Sequence, residues 1–452
     1  MSIQLSAKPE ISYLKALLDQ CRQDEPIVGG QLNATIGQLR DQAAAIVEEL
    51  AMPTRRDEEW RFTDLSPLLA VNFQGVEAFF EQFLQHLDLT SLTLPETPDS
   101  RLVFVNGVYA PDLSSVRGLP EGVYVGNLAG LPNAYQERIP NYLGKQQAAS
   151  DVFAALNTSG LTDAAVVWIP KATIVETPIH LLFISTTDDV PVICQPRCLV
   201  VAEPGSVVNL IEHYAANVEG CPDIPVNRPY FNNQVTEIWI EDDAQVIHTR
   251  NQREAIDGFH IGKTAVTQAR NSRYTCNAIS LGARLSRHNL EIVQTGEATE
   301  TTLKGLTMIG GEQVADTHSA VLLNHPHGMT NQLHKCIIDD RAHGVFNGKV
   351  FVPQAAQFTN AAQLNRNLLL SAKARVNTKP QLEITADQVK CSHGATVSQL
   401  DPEDVFYLQS RGLNETNARN LLIDAFVAEI LQRIPVDSLR QRLSQCAMCR
   451  TM

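Results

Sequence analysis

From Ala164 to about residue 400 the chain is written almost entirely in short runs rich in Val, Ile and Thr. Gly, Pro, Asn and Asp punctuate them, and no long helical pattern intervenes. That is roughly 240 residues of strand, more than a small sandwich can absorb. Several runs share one form: an apolar strand, a polar pair, a small residue, then a further apolar residue. Examples are Ile240 to Val246, Val352 to Phe358 and Leu370 to Val376, with Ile338 to Ala342 related to them. Ala342 lies 14 residues before Ala356, which lies 18 before Ala374. Recurring strand, tight corner and strand is what a solenoid needs, because each coil buries its inner face only on its neighbours. The pattern favours a β-helix; a large sandwich or barrel is the alternative, since the spacing is irregular.

Helical patterns flank this core. Tyr13, Leu14, Ala16, Leu17 and Leu18, then Ile36, Leu39, Ala43, Ile46, Val47 and Leu50, carry helical spacing. Leu102 to Gly107 predicts a strand meeting a turn, and Asp151 to Leu156 another helix. After residue 400, Asp401 is placed to cap a helix, Pro402 fits its first position, and Gly412 stops it. Asn414 then caps a longer helix with the stripe Leu422, Phe426, Ile430 and Ile434, joined by Leu421 and Ala425. Pro435 ends it, and Val436 to Leu443 predicts a third helix. The expected organisation is a helix-rich region over 1–160, a β core over 161–400 and a helical module over 401–452.

Composition excludes several function classes. With 44% apolar and 19% charged residues the chain can bury a large core. A formal charge of −14 without any long Lys/Arg run argues against nucleic acid as a partner. The opening residues lack the apolar centre of a signal peptide, and no window is apolar enough to span a membrane. A soluble intracellular protein is expected. Nine cysteines without framework spacing read as reduced thiols.

Individual motifs are weaker than they first look. Gly262-Lys263-Thr264 resembles the end of a phosphate loop, but Asp257 stands where its first Gly is required. His325-Pro-His327, with His318 and His334 nearby, lacks any metal-site spacing and reads as a polar loop. Cys446-Ala-Met-Cys449 has redox or zinc spacing without a second pair, at a chain terminus. The pairs Asp242-Asp243 and Asp339-Asp340 sit at expected coil corners as solvated charge. No nucleophile elbow is present, and a polysaccharide-acting β-helix enzyme would need converging acids that nothing in the sequence fixes. Cys391 and His393 are different. In an extended strand, residues two apart share a face, so a thiol and an imidazole, both iron-sulfur ligand types, can aim at one point.

Those two residues lie inside Lys390-Cys-Ser-His-Gly-Ala-Thr396, followed by Phe406-Tyr-Leu-Gln-Ser-Arg-Gly412. Arg55-Arg-Asp-Glu-Glu-Trp60-Arg-Phe-Thr63, Gln332-Leu-His-Lys335, Ala342-His-Gly-Val-Phe-Asn-Gly348 and Asn377-Thr-Lys-Pro-Gln-Leu-Glu383 accompany them. Together these resemble the SufB/SufD family of SUF iron-sulfur cluster assembly subunits. Within it they resemble the SufD branch: where SufB carries a Glu-His-Glu-Ala segment this chain has Cys391-Ser-His393-Gly-Ala395, and Gln363 to Leu368 lacks the SufB cysteine.

The resemblance implies a right-handed parallel β-helix between helical ends and a non-catalytic scaffold. The SufB paralogue would pair through the β-helix, the SufC ATPase would dock on the C-terminal helices, and a cysteine desulfurase system would supply sulfide indirectly. A SufB-like subunit is the near alternative. His393, with Cys391, would contact a transient nascent cluster at the SufB interface, with no cluster stably held by the isolated chain. Leu422, Phe426 and Ile430 would form the SufC docking face, and an isolated homodimer could stand in for the paralogue pair. The resemblance places the protein in the cytoplasm or an organelle stroma. It gives Cys446 and Cys449 no role.

Overall fold

The computed structural model describes residues 9–26, 28–76, 84, 87, 89–146, 151–186, 189–218 and 221–449. Cys449 falls at the edge of that range and its side chain lies outside the described residues.

The β core is a parallel β-helix of about 8 turns built from two facing sheets. In one sheet successive coils contribute strands beginning at Val207, Gln245, Arg273, Glu300, Met329, Asn360 and Lys390. In the other they begin at Phe231, Phe259, Leu285, Val314, His343 and Arg375. Each strand hydrogen-bonds in parallel register to the strand one coil away, as Gln363 does opposite His393. Runs of β-branched residues suit this because alternate side chains face a shared interior while the others lie outside. The 14- and 18-residue intervals of the sequence are half-coils. Ala342, Ala356 and Ala374 are buried at successive corners.

Corners are made by residues in left-handed backbone conformation. Asp243, Asn271, Ala298, His327 and Phe358 all have φ near +60°, and each backbone N–H of this series donates to a carbonyl of the next coil. That ladder satisfies the corner amides which a strand-only pattern leaves orphaned. The acid pairs fall there as expected, with Arg270 bridging Asp242 at 3.2 Å and Asp243 at 3.1 Å.

The β-helix interior is apolar at one end and polar toward the other. Leu181, Phe183, Val200 and Leu210 fill the early coils. Further along, His248 Nε2 lies 2.7 Å from Glu212 Oε2, both fully buried. Burial disfavours the imidazolium, but hydrogen bonds to Cys276 and Glu212 hold His248 up to about 9. Glycine makes room for such side chains: a Cβ on Gly305 would fall 2.0 Å from His334, and one on Gly348 2.3 Å from Gln363.

The N-terminal region is two helices, Pro9–Cys21 and Gly30–Glu49, followed by irregular chain. The strand Ser100–Val105 joins the β-helix by parallel pairing with Ile179–Thr186, so the sheets begin well before Ala164. Asp151 caps the helix Val152–Ser159, its carboxylate accepting from Phe153 and Ala154. At the other end are Pro402–Ser410, Glu415–Leu431 and Asp437–Cys449. Asp401 accepts from the Glu403 amide, Asn414 from the Asn417 amide, and Gly412 takes φ +98°. No described helix is long and apolar enough to cross a membrane.

Candidate functional site

Among the described residues no coil lies above the last one, Arg375–Ile384 and Lys390–Ser398. Each is the edge strand of its sheet, so both free edges open at the same end of the β-helix. Edge strands carry a row of unpaired backbone groups, which is a template for another chain. Val397 and Ile384 are exposed apolar residues on these edges.

Cys391 and His393 stack on the inward-facing Ala361 and Gln363 of the coil below. Cys391 packs against the interior cluster and is half-buried; burial raises its thiol above the ordinary value, eased by a hydrogen bond to the Ala361 backbone. His393 is exposed, and its Nδ1 lies 3.2 Å from the Pro380 carbonyl oxygen on the facing sheet. A carbonyl can only accept, so Nδ1–H donates, which in the neutral imidazole leaves the lone pair on Nε2. Among the described residues Nε2 makes no hydrogen bond. The two share a face as expected, yet their availability differs: the thiol sinks into the coil and the imidazole is presented.

Beneath them runs a polar column that a strand pattern alone does not single out. Gln363 donates to Gln332 at 2.8 Å, Gln332 to Ser319 at 2.7 Å, and Asn365 accepts from Thr378 at 2.7 Å and Asn367 at 2.6 Å. Every other residue of a strand is inward, so the signal was the alternation Gln363, Asn365, Asn367. Only stacked coils show that these meet one another.

The Arg55 to Thr63 motif is a clamp on the outer face of the β-helix. Trp60 lies beneath the Arg287 guanidinium, 3.9 Å from its ring centre, and packs on Phe153 at 5.4 Å. Asp316 takes a 2.5 Å bond from Thr63 and another from Arg287. His318 sits between Asp316 at 2.9 Å and Glu59 at 3.0 Å. Burial would raise Asp316, but Arg287 and His318 hold it down to about 2; burial would lower His318, but Asp316 and Glu59 raise it. Glu58 pairs with Lys379, tying the clamp to the terminal coil.

His327 and His334, grouped by the sequence with His318 and His325, lie apart. His327 is a corner residue stacked on Phe358 at 5.1 Å, whereas His334 is interior, stacked on Phe346 at 4.9 Å. Gly262-Lys-Thr is mid-strand, with Lys263 paired to Glu291.

The expected docking stripe divides. Ile430 is fully buried, and with Val427, Ile434 and the half-buried Phe426 it packs on Leu333, Ile337 and Leu368 of the β-helix. Lys335 extends beneath Phe426 and bonds Glu429 at 2.6 Å. Leu422 is half-buried. The large apolar side chains exposed on these helices are Phe406, Tyr407 and Leu421. Helical spacing identifies an apolar stripe but not what covers it.

The sequence matches the family description "SUF system FeS cluster assembly, SufBD core domain" over residues 183–426 and "SufBD protein N-terminal region" over 12–181. It is 51% identical to an iron-sulfur cluster assembly SufBD family protein of Synechocystis sp., covering 96% of this chain and 95% of that one. It is 36% identical to the chloroplastic protein ABCI7 of Arabidopsis thaliana, covering 89% and 84%. With the iron-sulfur cluster assembly protein SufD of Escherichia coli it shares 32% identity over 87% of this chain and 88% of that one. The β-helix, its open terminal coil and these matches agree: the chain belongs to the SufBD family of SUF iron-sulfur cluster assembly proteins.

Proposed function

We propose that this chain is the SufD-type scaffold of its assembly complex, a non-catalytic subunit that pairs with a SufB-type paralogue and holds a SufC-type ATPase. The observation that carries the reading is His393: an imidazole at the open end of the β-helix, one nitrogen anchored on Pro380 and the other free. The two edge strands beside it offer the paralogue main-chain pairing along both sheets, and exposed Val397 and Ile384 give that surface an apolar component.

The nascent cluster is cargo of this interface. Neutral imidazole binds a soft iron site without adding charge and is a weaker anchor than thiolate, which suits a cluster that must leave. Cys391, with its raised pKa and half-buried sulfur, is the weaker candidate. The remaining ligands would come from the paralogue, so the isolated chain holds no stable cluster. The ATPase docks on the exposed side of Pro402–Ser410 and Glu415–Leu431, where Phe406, Tyr407 and Leu421 stand beside the half-buried Leu422.

The test is co-purification. Tagged chain co-expressed with a SufB-type and a SufC-type subunit should bring down both; Val397→Glu should release the paralogue, and Leu421→Glu with Phe406→Glu the ATPase. Recovery of both partners by all variants would remove the assignment.

A further inference from the structure

A cleft of about 700 Å³ lies between the outer face of one sheet and the C-terminal helix Asp437–Cys449. It touches strands from Val207–Asn217 to Met329–Ile338, four strand steps apart. At about 4.8 Å per step it runs roughly 19 Å along the β-helix. Its floor and walls are apolar: Met308, Ile337 and Leu370 below, Ile256, Leu439 and Leu443 beside.

One end is polar in an unusual way. His213 and Asn251 are register partners on adjacent strands, 5% and 3% exposed, and both line the cleft. Among the described residues, His213 Nδ1 and Asn251 Oδ1 have no hydrogen-bond partner. An unpaired polar atom in a buried wall is destabilising, so such a pair is where a ligand's polar group is expected. Arg442 lines the same region, fixed by bonds to the Ser91 and Thr93 carbonyls at 2.8 and 2.7 Å. Those carbonyls are neutral, the Glu96 carboxylate lies within electrostatic reach of Arg442, and Arg253 nearby is matched by Asp223 at 2.8 Å. At the far end the Asp339 and Asp340 carboxylates disfavour a second anionic group.

We infer that this cleft binds a small amphiphile with a single carboxylate head, of the medium-chain fatty acid class. The head lies against Arg442 and His213, and the acyl chain follows Met308, Ile337 and Leu370. Burial and the Arg442 charge push His213 down to about 4, so at neutral pH it is an uncharged imidazole whose Nδ1–H can donate to the head. Asn251 Oδ1 accepts from a water held on the carboxylate. A volume of this size, apolar with a few convergent polar groups, is that of a small-molecule site.

Titration calorimetry of the full chain with octanoate and with octan-1-ol tests this. Octanoate should bind roughly tenfold or more tighter than the alcohol, the difference expected of one charge-assisted contact. Arg442→Gln should abolish that preference while leaving octan-1-ol within about twofold, and Ile256→Trp, which fills the cleft, should remove both. Octanoate binding no tighter than octan-1-ol, or unchanged by Arg442→Gln, would overturn the assignment, and the wild-type comparison decides even if a variant fails to fold.

Discussion

The His393 Nδ1 nitrogen and the Pro380 carbonyl oxygen, 3.2 Å apart, span the two sheets of the terminal coil. The contact leaves His393 oriented and solvent-facing with little of the fold resting on it. His393→Ala should therefore leave the melting temperature within about 2 °C of wild type. Cluster supply in cells should stop, and Cys391→Ala should be milder. Normal cluster supply with His393→Ala, or failure of that variant to pair with its paralogue, would exclude the ligand role.

Trp60 fixes the N-terminal clamp against Arg287 and Phe153. Trp60→Ala should cost about 3–5 kcal/mol, as large aromatic truncations do. Asp316→Ala should cost a similar amount, about 3–5 kcal/mol, because Arg287 would keep a buried charge without its partner. Urea unfolding midpoints measure both; a loss under 1 kcal/mol in either would mean that the clamp contributes little.

Acid should unfold the protein through its neutral histidines first. His213 and His334 are held down to about 4 by burial, against an ordinary 6.5. The unfolded chain then binds more protons than the folded one, so this stability is present above 6.5 and lost as pH falls toward 4. At about 1.4 kcal/mol per unit, each is worth on the order of 3 kcal/mol. Asp316, held near 2, loses its contribution only below its ordinary 3.8. His318 runs the other way: its raised value contributes below 6.5 and is lost as pH climbs through the folded value. Unfolding midpoints between pH 7 and 4.5 should fall steeply, and His334→Gln should flatten that slope. A slope identical to wild type would contradict the assignment.

Removing residues 402–452 should not leave a clean β-helix. It uncovers Leu333, Ile337 and Leu368, which the last two helices bury, and exposed patches of that kind aggregate. Size-exclusion chromatography of the truncated chain should show soluble aggregate, whereas Leu421→Glu, on the exposed side, should remain as well dispersed as wild type. A well-dispersed truncation would mean that the helices pack only loosely.

What the sequence determined by itself was local and periodic. Strand-length β-branched runs, polar corners around Asp242-Asp243 and Asp339-Asp340, the caps Asp401 and Asn414 and the stop at Gly412 follow from backbone preferences over a few residues, and they fall where expected. The shared face of Cys391 and His393 is likewise a property of any extended strand. Tertiary structure decided which of them is presented, because stacking on Ala361 draws Cys391 inward while Pro380, remote in the chain's half-coil register, holds His393 out. It also decided that Ile430 faces the β-helix and Leu421 faces solvent. An amphipathic stripe records that a helix has an apolar side, but which surface covers it depends on contacts between residues roughly ninety positions apart, such as Lys335 and Phe426. The same holds for the cleft at His213, Asn251 and Arg442: three unremarkable residues in the chain become one wall only when the coils and the last helix close around them.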